Sequence, residues 1–272
     1  MRINTNINSM RTQEYMRQNQ DKMNTAMNRL SSGKSINSAA DDAAGLAIAT
    51  RMRAKEGGLN VGARNTQDAM SALRTGDAAL GSVSNILLRM RDLATQAANG
   101  TNDAKDTASL GKEYDQLKLE IIHIAETTNF NGNKFLDKTA GGGKDLTIQL
   151  SDAASDTLDI KAIDLKVLTS TTLGTLTNGT TAATEMGKLD TAIQKIADER
   201  ATFGSQLNRL DHNLNNVTSQ ATNMAAAASQ IEDADMAKEM SEMTKFKILN
   251  EAGISMLSQA NQTPQMVSKL LQ

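Results

Sequence analysis

Residues 186–231 read MGKLDTAIQKIADERATFGSQLNRLDHNLNNVTSQATNMAAAASQI, and this stretch decides how the rest of the chain must fold. Its apolar residues are Met186, Leu189, Ile193, Ile196, Phe203, Leu207, Leu210, Leu214, Val217, Ala221, Met224, Ala228 and Ile231. They recur at alternating steps of three and four, with one missed beat where Arg200 stands on the seam. A heptad repeat sustained over about six heptads predicts a coiled-coil helix with left-handed supercoil. At 1.5 Å per residue that helix runs roughly 70 Å. An apolar stripe of such length must be covered, so the sequence has to supply partner helices.

The first half supplies them. Leu73, Leu80, Val83, Leu87, Met90, Ala94 and Ala97 repeat the stepping, with Gly76 on the seam. Asn99-Gly100 reads as a helix stop, after which Leu110, Tyr114, Leu117, Ile121 and Ile124 resume the pattern. Three matched seams predict an antiparallel bundle. Between them, from about residue 129 to 185, the texture changes. Asn131-Gly132 and Gly141 to Gly143 are turn signals. Thr147 to Leu150 and Leu158 to Ile163 alternate at strand period, which predicts a small β-hairpin. Thr169 to Thr184 is dominated by Thr and Gly and reads as a flexible connection.

The two ends carry narrower stripes. Ile3, Ile7 and Met10 begin one, which Met16, Met23, Met27 and Leu30 continue with drift. Met236, Met240, Met243, Phe246, Leu249, Met256 and Leu257 form the other, closed by Val267, Leu270 and Leu271, with Pro264 expected to interrupt the helix. Each end alone is a marginal helix in water. Both are expected to order only against other copies of the chain.

Composition removes several function classes. The 272 residues include no Cys, no Trp and one Pro, and aromatics are 2% of the chain. A net charge of −2 offers no field for polyanions or membranes, and the basic, aromatic-lined groove of a single-strand nucleic-acid binder is missing. The first ten residues, MRINTNINSM, lack the apolar region of a secretory signal. No stretch approaches the roughly 20 apolar residues of a spanning helix. No cofactor or metal is expected. Gly33-Lys34-Ser35 lacks the earlier glycine of a phosphate loop, because Asn28 stands there; Gly33 reads instead as the end of the first helix. Asp41-Asp42 suits a helix N-terminus better than catalysis. His123 and His212 have no ligand-like company. The chain is expected not to be an enzyme.

Several long stretches also resemble one family. They are SSGKSINSAADDAAGLAIA (31–49), NTQDAMSALRTGDAAL (65–80), LLRMRDLATQ (87–96), NFNGNKFL (129–136) and GISMLSQANQTPQMVSKLL (253–271). In this order they resemble the bacterial flagellins, in the short form without large central domains. The resemblance implies a mainly α fold, a long antiparallel helical bundle with paired N- and C-terminal helices and a small β-hairpin region. It implies a terminal-helix polymerisation domain of residues 1–43 and 233–272, and a bundle domain of residues 44–232 carrying the surface region at about 129–185. The function implied is a structural subunit of the flagellar filament. The alternative is a hook-filament junction protein, in which Pro usually follows the Asp pair; here Ala43 follows Asp42.

The resemblance also implies partners and positions. The partners are many copies of the chain itself, the filament cap, hook-associated proteins, an export chaperone and the type III export apparatus. Secretion without a cleaved signal would place the protein in the extracellular filament. Polymerisation contacts are expected at Ile3, Ile7, Met10, Leu249, Met256, Leu257, Val267, Leu270 and Leu271. The Toll-like innate receptor of flagellin is expected to read Arg89, Leu93 and Glu113, with Arg91 and Asp92 also serving neighbouring protofilaments. Composition adds Ser151, Ser155, Thr171, Thr172 and Thr180 as candidate O-glycosylation positions.

Overall fold

The computed structural model describes residues 6–138, 144–166 and 173–270, with side chains through residue 262. The elements in chain order are α1 (Ile7–Ser32), α2 (Ala43–Ala97), α3 (Ala104–Thr127), β1 (Leu146–Gln149), β2 (Thr157–Ile160), α4 (Gly179–Glu232) and α5 (Met236–Leu270). The chain divides into two compact units, residues 57–221 and residues 1–56 with 222–272. These divisions fall inside α2 and α4, whereas the sequence boundaries at 43 and 232 fall at the ends of those helices.

Local sequence sets the helix ends. Gly33 closes α1 in the left-handed conformation (φ 71°), its N–H donating to Arg29 O at 2.9 Å, a conformation that costs a residue without Cβ little. Asp42 Oδ1 accepts from the Ala44 and Gly45 N–H groups at 3.0 Å and so caps α2. Asp103 and Asp106 form a reciprocal capping box at the start of α3. Asn131 (φ 50°) and Gly132 (φ 81°) make the expected turn, with Phe130 and Asn133 bridged across it.

In the unit of residues 57–221, α2 is the central helix. Two of its seven-residue series are buried throughout: Leu59, Thr66, Leu73, Leu80, Leu87 and Ala94, and Gly62, Ala69, Gly76, Val83, Met90 and Ala97. In α4 one series, Leu189, Ile196, Phe203, Leu210 and Val217, is buried, while Met186, Ile193, Leu207 and Leu214 are half-buried. Cross-helix pairs fix the register. Thr66 meets Asn213 (3.3 Å), Asp77 meets Arg200 (2.8 Å) and Arg91 meets Asp190 (2.6 Å), so residue numbers fall on α4 as they rise on α2. These helices are antiparallel. Arg200, the missed beat, is exposed and forms its ion pair with α2. Helix α3 returns antiparallel to α2 through Arg89 and Glu113, with Tyr114 and Ile121 buried.

The hairpin is antiparallel, Leu146 opposite Ile160 and Gln149 opposite Thr157. Ile148, Leu150, Leu158 and Ile160 join the bundle core. Glycine permits this docking: a Cβ on Gly62 would lie 2.5 Å from Leu150 O, and one on Gly58 would lie 2.7 Å from Asp152 Cβ. The flexible connection expected at 169–184 needs correction for its described part. Leu173 and Leu176 are buried, and Gly174 N–H donates to Glu185 at 2.8 Å. Helix α4 begins at Gly179, with Asn178 Oδ1 accepting from Thr181 N–H. Buried leucines thus hold a segment whose composition is that of a loop. Residues 169–172 lie outside the described residues.

In the other unit, α1 and α5 pair antiparallel. Asn6 reaches Ala260, Gln20 reaches Asn250 and Arg29 reaches Glu239. The expected interruption at Pro264 does not occur, because α5 runs through it to Leu270. Proline lacks the N–H that would bond the carbonyl four residues earlier. That carbonyl is Ala260 O, and Asn6 Nδ2 donates to it at 2.8 Å. The side chain that caps α1 therefore also fills the vacancy that proline leaves in α5.

Candidate assembly surface

The terminal unit buries very little apolar bulk. Its buried hydrophobic residues among those described are Ala26, Ile36, Ala49 and Ala228. Large apolar side chains of α1 and α5 lie outside instead: Ile7 is 57% exposed, Met10 61%, Leu249 41% and Met256 65%. Leu257 is half-buried. These are five of the predicted polymerisation positions. Ile3 and Leu271 lie outside the described residues, as do the side chains of Val267 and Leu270. Sequence reasoning missed Ile248 (59%) and Ile254 (57%), which fall off the stripe it followed yet are equally exposed. Isolated exposed leucines are ordinary, but this many large apolar groups outside make the helix pair a candidate interaction surface.

Polar contacts position this surface. Ser35 N–H donates to Glu232 O at 2.7 Å and Ala234 N–H to Gly33 O at 2.9 Å, which ties the α1–α2 connection to the α4–α5 connection. Lys34 pairs with Glu232, and Arg53 Nε lies 3.5 Å from the same carboxylate. The Lys34 ammonium, then Arg53, holds the Glu232 carboxyl below the usual carboxylate range despite its burial. Arg29 meets the buried Glu239 at 3.4 Å. The Arg29 Nε and one Glu239 oxygen lack hydrogen-bond partners among the described residues. Lys22 sits 5.6 Å over the Phe246 ring.

On the bundle unit, Arg89, Arg91, Asp92 and Glu113 are exposed. Arg89 forks onto Glu113 at 2.7 Å and 3.0 Å. Leu93 does not join them. It is 1% exposed and belongs to the core, because α2 is covered on more than the two seam faces that periodicity predicted. Ser155 and Thr180 are exposed and Ser151 is half-exposed, whereas Thr171 and Thr172 lie outside the described residues. The buried Glu185 carboxylate accepts from Tyr114 Oη, Gly174 N–H and Lys188, so it is a satisfied structural group. Burial, then Glu185, pushes the Tyr114 hydroxyl up. No cluster of three metal-ligating side chains occurs among the described residues, and no described helix is long and apolar enough to cross a membrane.

Two family models match the sequence, the bacterial flagellin N-terminal helical region over residues 3–141 and the bacterial flagellin C-terminal helical region over residues 186–271. The chain belongs to the bacterial flagellin family. The flagellin of Listeria monocytogenes is 46% identical across all of this chain and 99% of that one. The flagellin of Bacillus subtilis is 38% identical across the whole of both chains. Among solved structures, the crystal structure of Bacillus cereus flagellin is 77% identical, with a TM-score of 0.54, covering 61% of this chain and 94% of that one. A structure described as a flagellar hook-associated protein from Vibrio parahaemolyticus reaches a TM-score of 0.60 at 13% identity, a likeness of fold alone. This flagellin is a structural subunit of the extracellular flagellar filament, self-polymerising and without a large central domain. The hook-filament junction alternative is not favoured.

Proposed function

We propose that the α1–α5 pair is the surface through which this filament subunit polymerises, with Ile7, Met10, Leu249, Met256 and Leu257 covered by neighbouring copies. The observation that carries this reading is the contrast in burial. Most of the exposed large apolar groups among the described residues stand on the terminal helices, while the bundle covers most of its own and leaves Val61, Leu88 and Leu119 outside. Ile3, Val267, Leu270 and Leu271 extend the same surface by sequence. A pair with so small a core is marginal alone and gains its order from polymer contacts. Removing residues 260–272 should abolish elongation of filament seeds, seen by electron microscopy, while circular dichroism still reports a helical, soluble bundle. Elongation at the normal rate would overturn the reading.

Finer roles follow from the flagellin pattern. Arg89, Arg91, Asp92 and Glu113 form the exposed patch offered to the Toll-like innate receptor and to neighbouring protofilaments, with Leu93 supporting it from beneath. Ser151, Ser155 and Thr180 are accessible positions for O-linked sugars, and Thr171 and Thr172 join them by composition. Export through the type III apparatus with a chaperone, without a cleaved signal, and assembly under a cap onto hook-associated proteins complete the proposal. The lack of Cys, hence of any disulfide to reduce, suits passage as an unfolded chain.

A further inference from the structure

Methionine is unevenly distributed in this protein. Of its fifteen methionines, four lie in α1 (Met10, Met16, Met23, Met27) and five in α5 (Met236, Met240, Met243, Met256, Met266). Exposure sorts them further. Among the described residues the exposed methionines are Met10, Met27, Met236, Met240 and Met256, all in the terminal helices. In the bundle, Met90 is fully buried, and Met70 and Met186 pack half-buried on its core. Leucine would supply similar apolar volume at the exposed positions. The thioether differs in its chemistry, because two-electron oxidants convert it reversibly to a sulfoxide. The chain has no Cys, so no thiol competes for such an oxidant.

We infer that the exposed methionines of α1 and α5 are a site of reversible oxidation by peroxide-class oxidants, which blocks assembly of the free subunit and is itself blocked by assembly. This rests on the reading of the helix pair as the polymerisation surface. In the step, a sulfur lone pair attacks one peroxide oxygen, an S–O bond forms and the O–O bond breaks. Hydrogen peroxide leaves as water after proton transfer, and sulfur is oxidised by two electrons to the sulfoxide. An apolar, pliable side chain thereby becomes a strong hydrogen-bond acceptor. Burying that oxygen against an apolar neighbour leaves it without a donor, which costs free energy in every subunit added.

The test treats free subunits and preformed filaments with hydrogen peroxide and maps sulfoxides by peptide mass spectrometry. In free subunits Met10, Met27, Met236, Met240 and Met256 should gain oxygen well before Met90, and in filaments they should be protected. Oxidised subunits should need about tenfold higher concentration to elongate seeds, equivalent to ~1.4 kcal/mol, and methionine sulfoxide reductases should restore elongation. A chain carrying M10L, M27L, M236L, M240L and M256L should elongate equally with and without peroxide; if it fails to assemble untreated, M10L and M256L singly should each preserve part of the elongation after peroxide. Normal elongation by oxidised wild-type subunits, with these methionines still protected in filaments, would overturn the redox inference alone. Equal oxidation of the five in filaments and free subunits would overturn the polymerisation reading beneath it.

Discussion

The bundle unit and the terminal unit are built from the same apolar alphabet, yet they use it in opposite ways. In the bundle, two heptad series of α2 and one of α4 are buried inside the molecule, and the hairpin docks where Gly58 and Gly62 admit it. In the terminal unit the buried positions are mostly alanine, and isoleucine, leucine and methionine stand outside. The bundle is held by hydrophobic burial, which scales with the area it removes from water. The helix pair has polar clasps at Asn6, Gln20 and Arg29, which contribute little net stability each, beside Met16, Met23, Met243 and Phe246, which are only half-buried. One unit covers most of its own apolar groups; the other leaves them open, as expected of the polymerisation surface proposed above.

Three experiments would break or sharpen that contrast. The largest effect is expected from matched leucines. Leu87→Ala should lower the unfolding free energy of the free subunit by about 2–5 kcal/mol in urea titrations. Leu249→Ala, on the exposed face, should leave that value within ~0.5 kcal/mol while raising the subunit concentration needed for seeded elongation. Equal losses of free-subunit stability would erase the distinction. Next, Asn6→Ala removes both the cap of α1 and the donor to the carbonyl that Pro264 leaves open, which should cost the helix pair about 1–2 kcal/mol. Proteolysis should then cut within α1 and α5 faster than within the bundle, and the second change Pro264→Ala should recover part of the loss.

The smallest effect concerns acid. The folded Glu232 carboxyl titrates below its unfolded value. Its stabilising contribution is therefore full above the ordinary carboxylate range, about pH 4.3, and is lost as pH falls through the depressed folded value. Glu232→Gln should flatten the acid slope of terminal-unit stability, followed by hydrogen exchange at the α1–α2 and α4–α5 connections. An unchanged slope would remove the Lys34–Glu232–Arg53 cluster from any structural role.

Much of this was legible because periodicity is a local property. The step of seven from Leu189 to Val217 identifies both the helix and its buried face, and Gly33, Asp42 and Asn131-Gly132 mark the ends and turns that they make. Positions decided by contacts distant in sequence were not legible in the same way. Leu93 sits off the α2 seam and is buried nonetheless, since the covered stripe of α2 is wider there than the seam. Leu173 and Leu176 lie in loop-like sequence and are held by the core. Gly62, inside α2, is where Leu150 crosses.

By itself, then, the sequence determined the helices, their directions, the hairpin and the family, because hydrophobic period, capping residues and long ordered motifs are written along the chain. Tertiary structure alone decided which apolar residues are covered and which remain open, because burial is a property of neighbours and not of the residue. It also decided how α5 continues through Pro264: the missing hydrogen bond is made good by Asn6, 254 residues away from the carbonyl it satisfies.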